Sequence, residues 1–167
     1  DRRGWSYLPV EGEAKARGFQ HGYLLARETA DGLRTTRINW EYQSAMTWPW
    51  LVARAAAMFQ GRIDAENLAE LDAIAEGMRA AGQAASRDEL VAYNAIIELS
   101  GYWWPLELKK IKDGPAPAVR ESCSAFIATG KMTRDGNIVL GHNTMSGYQD
   151  VIPNVIEDIA PAHGHRI

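Results

Sequence analysis

The sequence predicts an α+β fold in which a helical part, residues 1–122, precedes a β part, residues 123–167. Three observations carry that expectation. Apolar residues recur at helical spacing from Ala16 through Phe19, Tyr23, Ala26 and Ala30, and again in later segments. At Cys123 the period falls to two, with Cys123, Ala125, Ile127 and Thr129 on one face of a strand. Hydrophobic residues make up 46% of the 167 and charged residues 23%, the balance of a chain that packs a core rather than one that stays disordered.

Residues 1–12 read as an extended lead-in containing Pro9 and Gly12. A helix follows from Glu13, its pattern running on through Leu33, Ile38 and Tyr42. Gly18 and Gly22 lie four apart on it and predict close backbone packing against a neighbour. Trp48-Pro49-Trp50 restarts the chain, and Leu51 to Gln60 is predicted helical before Gly61 ends it. Asp64 is placed as the N-cap of a helix whose apolar face is Leu68, Leu71, Ile74, Ala75 and Met78, reaching about Ala85. Ser86 with Glu89 predicts a capping box, and Gly101 is expected to stop the helix it opens. Tyr102-Trp103-Trp104-Pro105 forms an aromatic elbow, Leu106 to Lys112 a short helix, and Gly114 to Val119 a proline-rich loop. Arg134-Asp135-Gly136-Asn137 is a hairpin turn between Cys123–Thr129 and Ile138–Gly141, and Val151 to Ile159 is a third strand. Three strands with apolar residues on both faces need covering layers on both sides. The chain is therefore expected to be the front part of a larger domain.

Net charge is −3 with no basic block, which argues against a nucleic-acid surface. No apolar run approaches the roughly 20 residues of a membrane span. The single cysteine excludes an internal disulfide. There is no Asn-x-Ser/Thr acceptor, so glycosylation points to no eukaryotic secretory route; Asp1 in place of Met is read as the removal of a signal peptide, a tag or a disordered start, which leaves the compartment open with a secreted or periplasmic location preferred.

Cys123 carries the chemistry in this reading. It stands at the junction of a loop and a strand, and the following hairpin returns His142 and Asn143 towards it. The expected first step is attack of the Cys123 thiol on the Ser122 carbonyl. Water then hydrolyses the resulting thioester, breaking the Ser122–Cys123 bond and freeing the Cys123 amine. An unperturbed α-amine titrates near 7.7–8.0 and a thiol near 8.5, so one residue supplies both base and nucleophile close to neutrality. Donors for the tetrahedral oxyanion are sought in backbone N–H groups near Ser124 and in the side chains of His142 and Asn143. No cofactor or metal is called for.

Cys123-Ser-Ala-Phe-Ile, followed by Leu140-Gly-His142-Asn143-Thr144-Met-Ser146-Gly-Tyr148-Gln149, resembles the phospholipase B-like family of N-terminal-nucleophile hydrolases. Gly18-Phe-Gln-His-Gly22-Tyr and Tyr93-Asn94-Ala-Ile-Ile-Glu-Leu-Ser-Gly-Tyr102-Trp103 resemble that family's helical N-terminal part. The resemblance implies an αββα sandwich, of which this chain holds the helical part and first strands. It also implies autocleavage before the cysteine, and hydrolysis of an amide or acyl ester through a thioester. Carried over by position, Cys123 matches the nucleophile and His142 a site histidine; Met145 departs from the tryptophan of the family pattern. The implied partners are an acyl-amide, lipid or peptide substrate and the remainder of the β-chain. Two alternatives stand beside this: an acyltransferase on the same fold, and a non-catalytic helical binding module with a buried cysteine.

The remaining candidate residues read as structural. His163 and His165 with His142 make a nominal metal trio without supporting carboxylates, and His21 reads as a solvated or packed helix residue. Trp48, Trp50, Trp103 and Trp104 read as core in preference to an acyl pocket, and Glu66, Glu70, Asp72 and Glu76 as a solvated helix face.

Overall fold

Pro9 interrupts the amide ladder of the first strand, yet Trp5–Gly12 is a strand (β1) and not merely an extended lead-in. Its partner is β4, Asn154–Pro161, in a parallel register that runs from Trp5↔Asn154 to Gly12↔Pro161. Proline is tolerated because each strand of a two-stranded ladder is an edge. The computed structural model describes residues 5–112, 123–144 and 154–166. Along β1 the pleat turns Leu8 and Val10 inwards, and they are buried with Leu25 against Val155 and Ile159.

Helix α1 covers Ala14–Leu24 and α2 covers Ala26–Ser44, so the single predicted helix is two. The break falls at Leu25, whose φ of −109° and ψ of 23° leave the helical region. That residue is buried in the β1–β4 cluster, so the kink accompanies a change of packing partner. Helix α3, Trp48–Phe59, is capped by Thr47, and Pro49 occupies its first turn. A 3₁₀ turn, Gln60–Arg62, leads to α4, Ala65–Ala80, where Asp64 Oδ1 accepts from the amide of Asn67 at 2.8 Å. Helix α5, Arg87–Asn94, opens on the capping box of Ser86 and Glu89. Gly101 does not stop the chain's helical course. Glu98–Trp103 is a π-helical turn that runs directly into α6, Trp104–Lys112.

Gly18 and Gly22 let α1 meet α4 backbone to backbone. A Cβ on Gly18 would overlap the Glu70 carbonyl, one on Gly22 the backbone of Ile74, and one on Gly77 the Phe19 carbonyl. The main core lies among the helices and includes Trp40, Leu51, Met78, Leu90 and Leu99. Trp40, Trp50, Trp103 and Trp104 stack edge and face with ring centres 5.5–6.4 Å apart. Trp48 and Trp104 are buried, whereas Trp50 and Trp103 lie at the margin of this cluster.

Strands β2, Cys123–Gly130, and β3, Gly136–Thr144, form an antiparallel hairpin. The third strand does not extend it: β4 pairs with β1 in a separate sheet. Local sequence carries no signal for that choice, because the partner is at the other end of the chain. The predicted loop over 114–119 and residues 151–153 of the predicted third strand lie outside the described residues. The architecture is mixed α and β, with six α-helices and two small sheets among the described residues. No helix there is long and apolar enough to cross a membrane.

Candidate active site on the hairpin and a second cleft

The turn of the hairpin fixes its register. Gly130 and Gly136 adopt φ of 56° and 77°, a region open to glycine at little steric cost. Asp135 accepts from the Asn137 amide at 3.2 Å and from Asn137 Nδ2 at 2.7 Å. These bonds favour the carboxylate and hold Asp135 below the usual aspartate range. The Thr133 hydroxyl donates to the Asn137 carbonyl at 2.8 Å.

From that register the candidate residues fall on two faces. Cys123 stands opposite Thr144, Ser124 opposite Asn143, and Ala125 opposite His142. Directly opposed residues of an antiparallel pair share a face, and neighbours along a strand alternate. Cys123, His142 and Thr144 therefore occupy one face, with His142 on the diagonal from Cys123, a spacing that an imidazole spans. Thr144 Oγ1 lies 3.3 Å from His142 Nδ1 and orients the ring. Ser124 and Asn143 are on the other face; the hairpin brings their side chains to each other, and only the Ser124 backbone borders the thiol. Ser122 lies outside the described residues, and with it the bond to be cleaved.

Cys123 is exposed, in contrast to the buried cysteine of the binding-module alternative. So are Phe126, Ile127, Ile138, Val139 and Leu140, which face solvent on both sides of the hairpin. The Phe126 ring lies where a side chain on Gly141 would sit. Among the described residues no group of three or more His, Cys, Asp or Glu is arranged to hold a metal ion, and His163 instead faces Glu13 at 3.5 Å.

A second constellation escaped the sequence reading because its members are far apart along the chain. Arg17, 8% exposed, donates to the Gly12 carbonyl at 2.9 Å, to Glu66 at 3.0 Å and to Glu70 at 2.9 Å. Glu66 and Glu70 thus belong to an ion-pair network and not simply to a solvated face, and Asp72 pairs with Arg87 at 3.1 Å. His21 Nδ1 lies 3.0 Å from Glu157 Oε1, tying α1 to β4. That hydrogen bond keeps the Glu157 carboxyl below its ordinary range against the opposing effect of burial. Beside the pair a cleft of about 500 Å³ opens between α1, α2, α4, α5 and β4.

Comparison with protein-family models, with curated proteins and with solved structures returned no match.

Proposed function

We propose that this chain is the helical part and first strands of an autoprocessing cysteine hydrolase of the N-terminal-nucleophile type, acting on a linear amide or acyl ester. The observation that carries the reading is the exposure of Cys123 on the same hairpin face as His142.

In maturation the Cys123 sulfur bonds to the Ser122 carbonyl carbon while the Ser122–Cys123 C–N bond breaks, the proton passing to the departing nitrogen. Water then displaces sulfur, leaving a Ser122 carboxylate and a Cys123 α-amine. In turnover that amine takes the thiol proton and the thiolate attacks the substrate acyl carbon. The protonated amine gives its proton to the leaving amine or alcohol, and water releases the acid. His142, with Nδ1 held by Thr144, is positioned to donate from its remaining ring nitrogen to the developing oxyanion. The two open apolar faces of the hairpin support the same reading, since they fit the inner layers of a sheet sandwich whose remaining strands and helices would cover them.

Intact-mass measurement of the purified chain tests this. The expected result is a break between Ser122 and Cys123 in the parent chain and none in Cys123→Ala. A parent chain that stays whole after prolonged incubation, or a Cys123→Ala chain cut at the same bond, overturns it.

A further inference from the structure

We propose that the cleft between α1, α2, α4, α5 and β4 is a binding site for an amphipathic primary amine: an apolar body bearing one ammonium group. This goes beyond the cysteine chemistry and does not depend on it. The cavity, about 500 Å³, lies within the size range of small-molecule sites. Leu25, Leu71 and Ile74 supply apolar wall, and three carboxylates, Glu28, Glu70 and Glu157, supply its charge.

The carboxylates are not equivalent. Glu70 is engaged by Arg17 at 2.9 Å and Glu157 by His21 at 3.0 Å. Glu28 is half-buried and makes no hydrogen bond or ion pair among the described residues. It sits in the first turn of α2. The cleft therefore presents one uncommitted negative charge beside an apolar wall, with its other two carboxylates already fixed by partners. An alkyl or arylalkyl ammonium satisfies both features: its hydrocarbon covers the apolar wall, and its N–H groups donate to Glu28 in charge-assisted bonds. An anion of the same shape meets three carboxylates, and a neutral alcohol lacks the charge.

The test is calorimetric titration of the full chain with 4-phenylbutylammonium, 4-phenylbutanol and 4-phenylbutyrate, matched in shape and differing in charge. The ammonium is expected to bind, the alcohol at least about tenfold more weakly, and the carboxylate not at all at the same concentrations. Glu28→Gln should weaken the ammonium about tenfold while leaving the melting temperature near that of the parent. Leu71→Trp, which fills the wall, should abolish binding of both ammonium and alcohol. No binding of the ammonium, equal binding of the three probes, or unchanged ammonium affinity in a folded Glu28→Gln chain overturns the proposal.

Discussion

His21 on α1 and Glu157 on β4 are joined by a 3.0 Å contact between Nδ1 and Oε1. The bond lowers the folded-state pKa of Glu157, so its stabilisation is present above the ordinary glutamate value, about 4.3, and is lost as pH falls through the lowered folded value. With both side chains partly exposed, the pair contributes about 0.5 kcal/mol near neutrality. Glu157→Gln should lose that increment at pH 6 and converge on the parent in stronger acid. Urea midpoints measured across this range check it.

Asp158, next on the strand, is held at about 2 by Arg166 first and Tyr7 second. The same sign applies. Its contribution persists through the usual carboxylate range and disappears only as pH falls through about 2. Asp158→Asn should therefore move the acid-unfolding midpoint upwards, and far-ultraviolet dichroism followed from pH 5 to 1.5 reads the shift.

Arg17 ties Gly12, Glu66 and Glu70 together from a nearly buried position. Arg17→Met keeps an apolar stem but removes three charged or carbonyl-directed bonds and leaves Glu70 uncompensated. A loss of about 2 kcal/mol is expected in denaturant unfolding, with Glu66→Gln costing much less because Glu66 is largely exposed.

Gly22 faces the backbone of Ile74 across the α1–α4 crossing. No rotamer relieves a methyl group that meets main chain, so Gly22→Ala should cost about 1–3 kcal/mol through forced separation of the two helices. A Gly61→Ala control, where nothing lies within 4 Å, should leave the melting temperature almost unmoved.

On the hairpin, His142→Ala should slow release of the Cys123 amine by roughly a hundredfold if the ring supplies an oxyanion bond, and Thr144→Val by less, through loss of ring orientation. Time-resolved mass spectra of freshly purified chains give both rates. Equal rates in parent and His142→Ala would remove the imidazole from the mechanism.

Helix boundaries set by local chemistry were legible in the sequence. Asp64 and Ser86–Glu89 cap where their side chains dictate, and the hairpin turn follows Asp135 and Gly136. Gly18 and Gly22 announced a close crossing because only a missing Cβ permits one. What stayed hidden was long-range. The pairing of β1 with β4, the burial of Arg17 and the meeting of His21 with Glu157 all join residues whose local patterns look like a lead-in, a helix face and a strand. Gly101 misled for another reason: its neighbours Leu99 and Trp104 are anchored in the core, and the helix widens to a π turn instead of ending. The Cys123 face was legible as a thiol and an imidazole nineteen positions apart, but the separation of Ser124 and Asn143 onto the opposite side needs the cross-strand register.

The parallel pairing of β1 with β4 brings the Tyr7 hydroxyl to Asp158, 151 residues further along the chain, to which it donates a hydrogen bond. During synthesis at about 5–20 residues per second, the early strand waits on the order of ten seconds for its mate. Throughout that interval its peptide groups and the Leu8–Val10 stripe are bare, inviting capture by a chaperone or by another nascent chain.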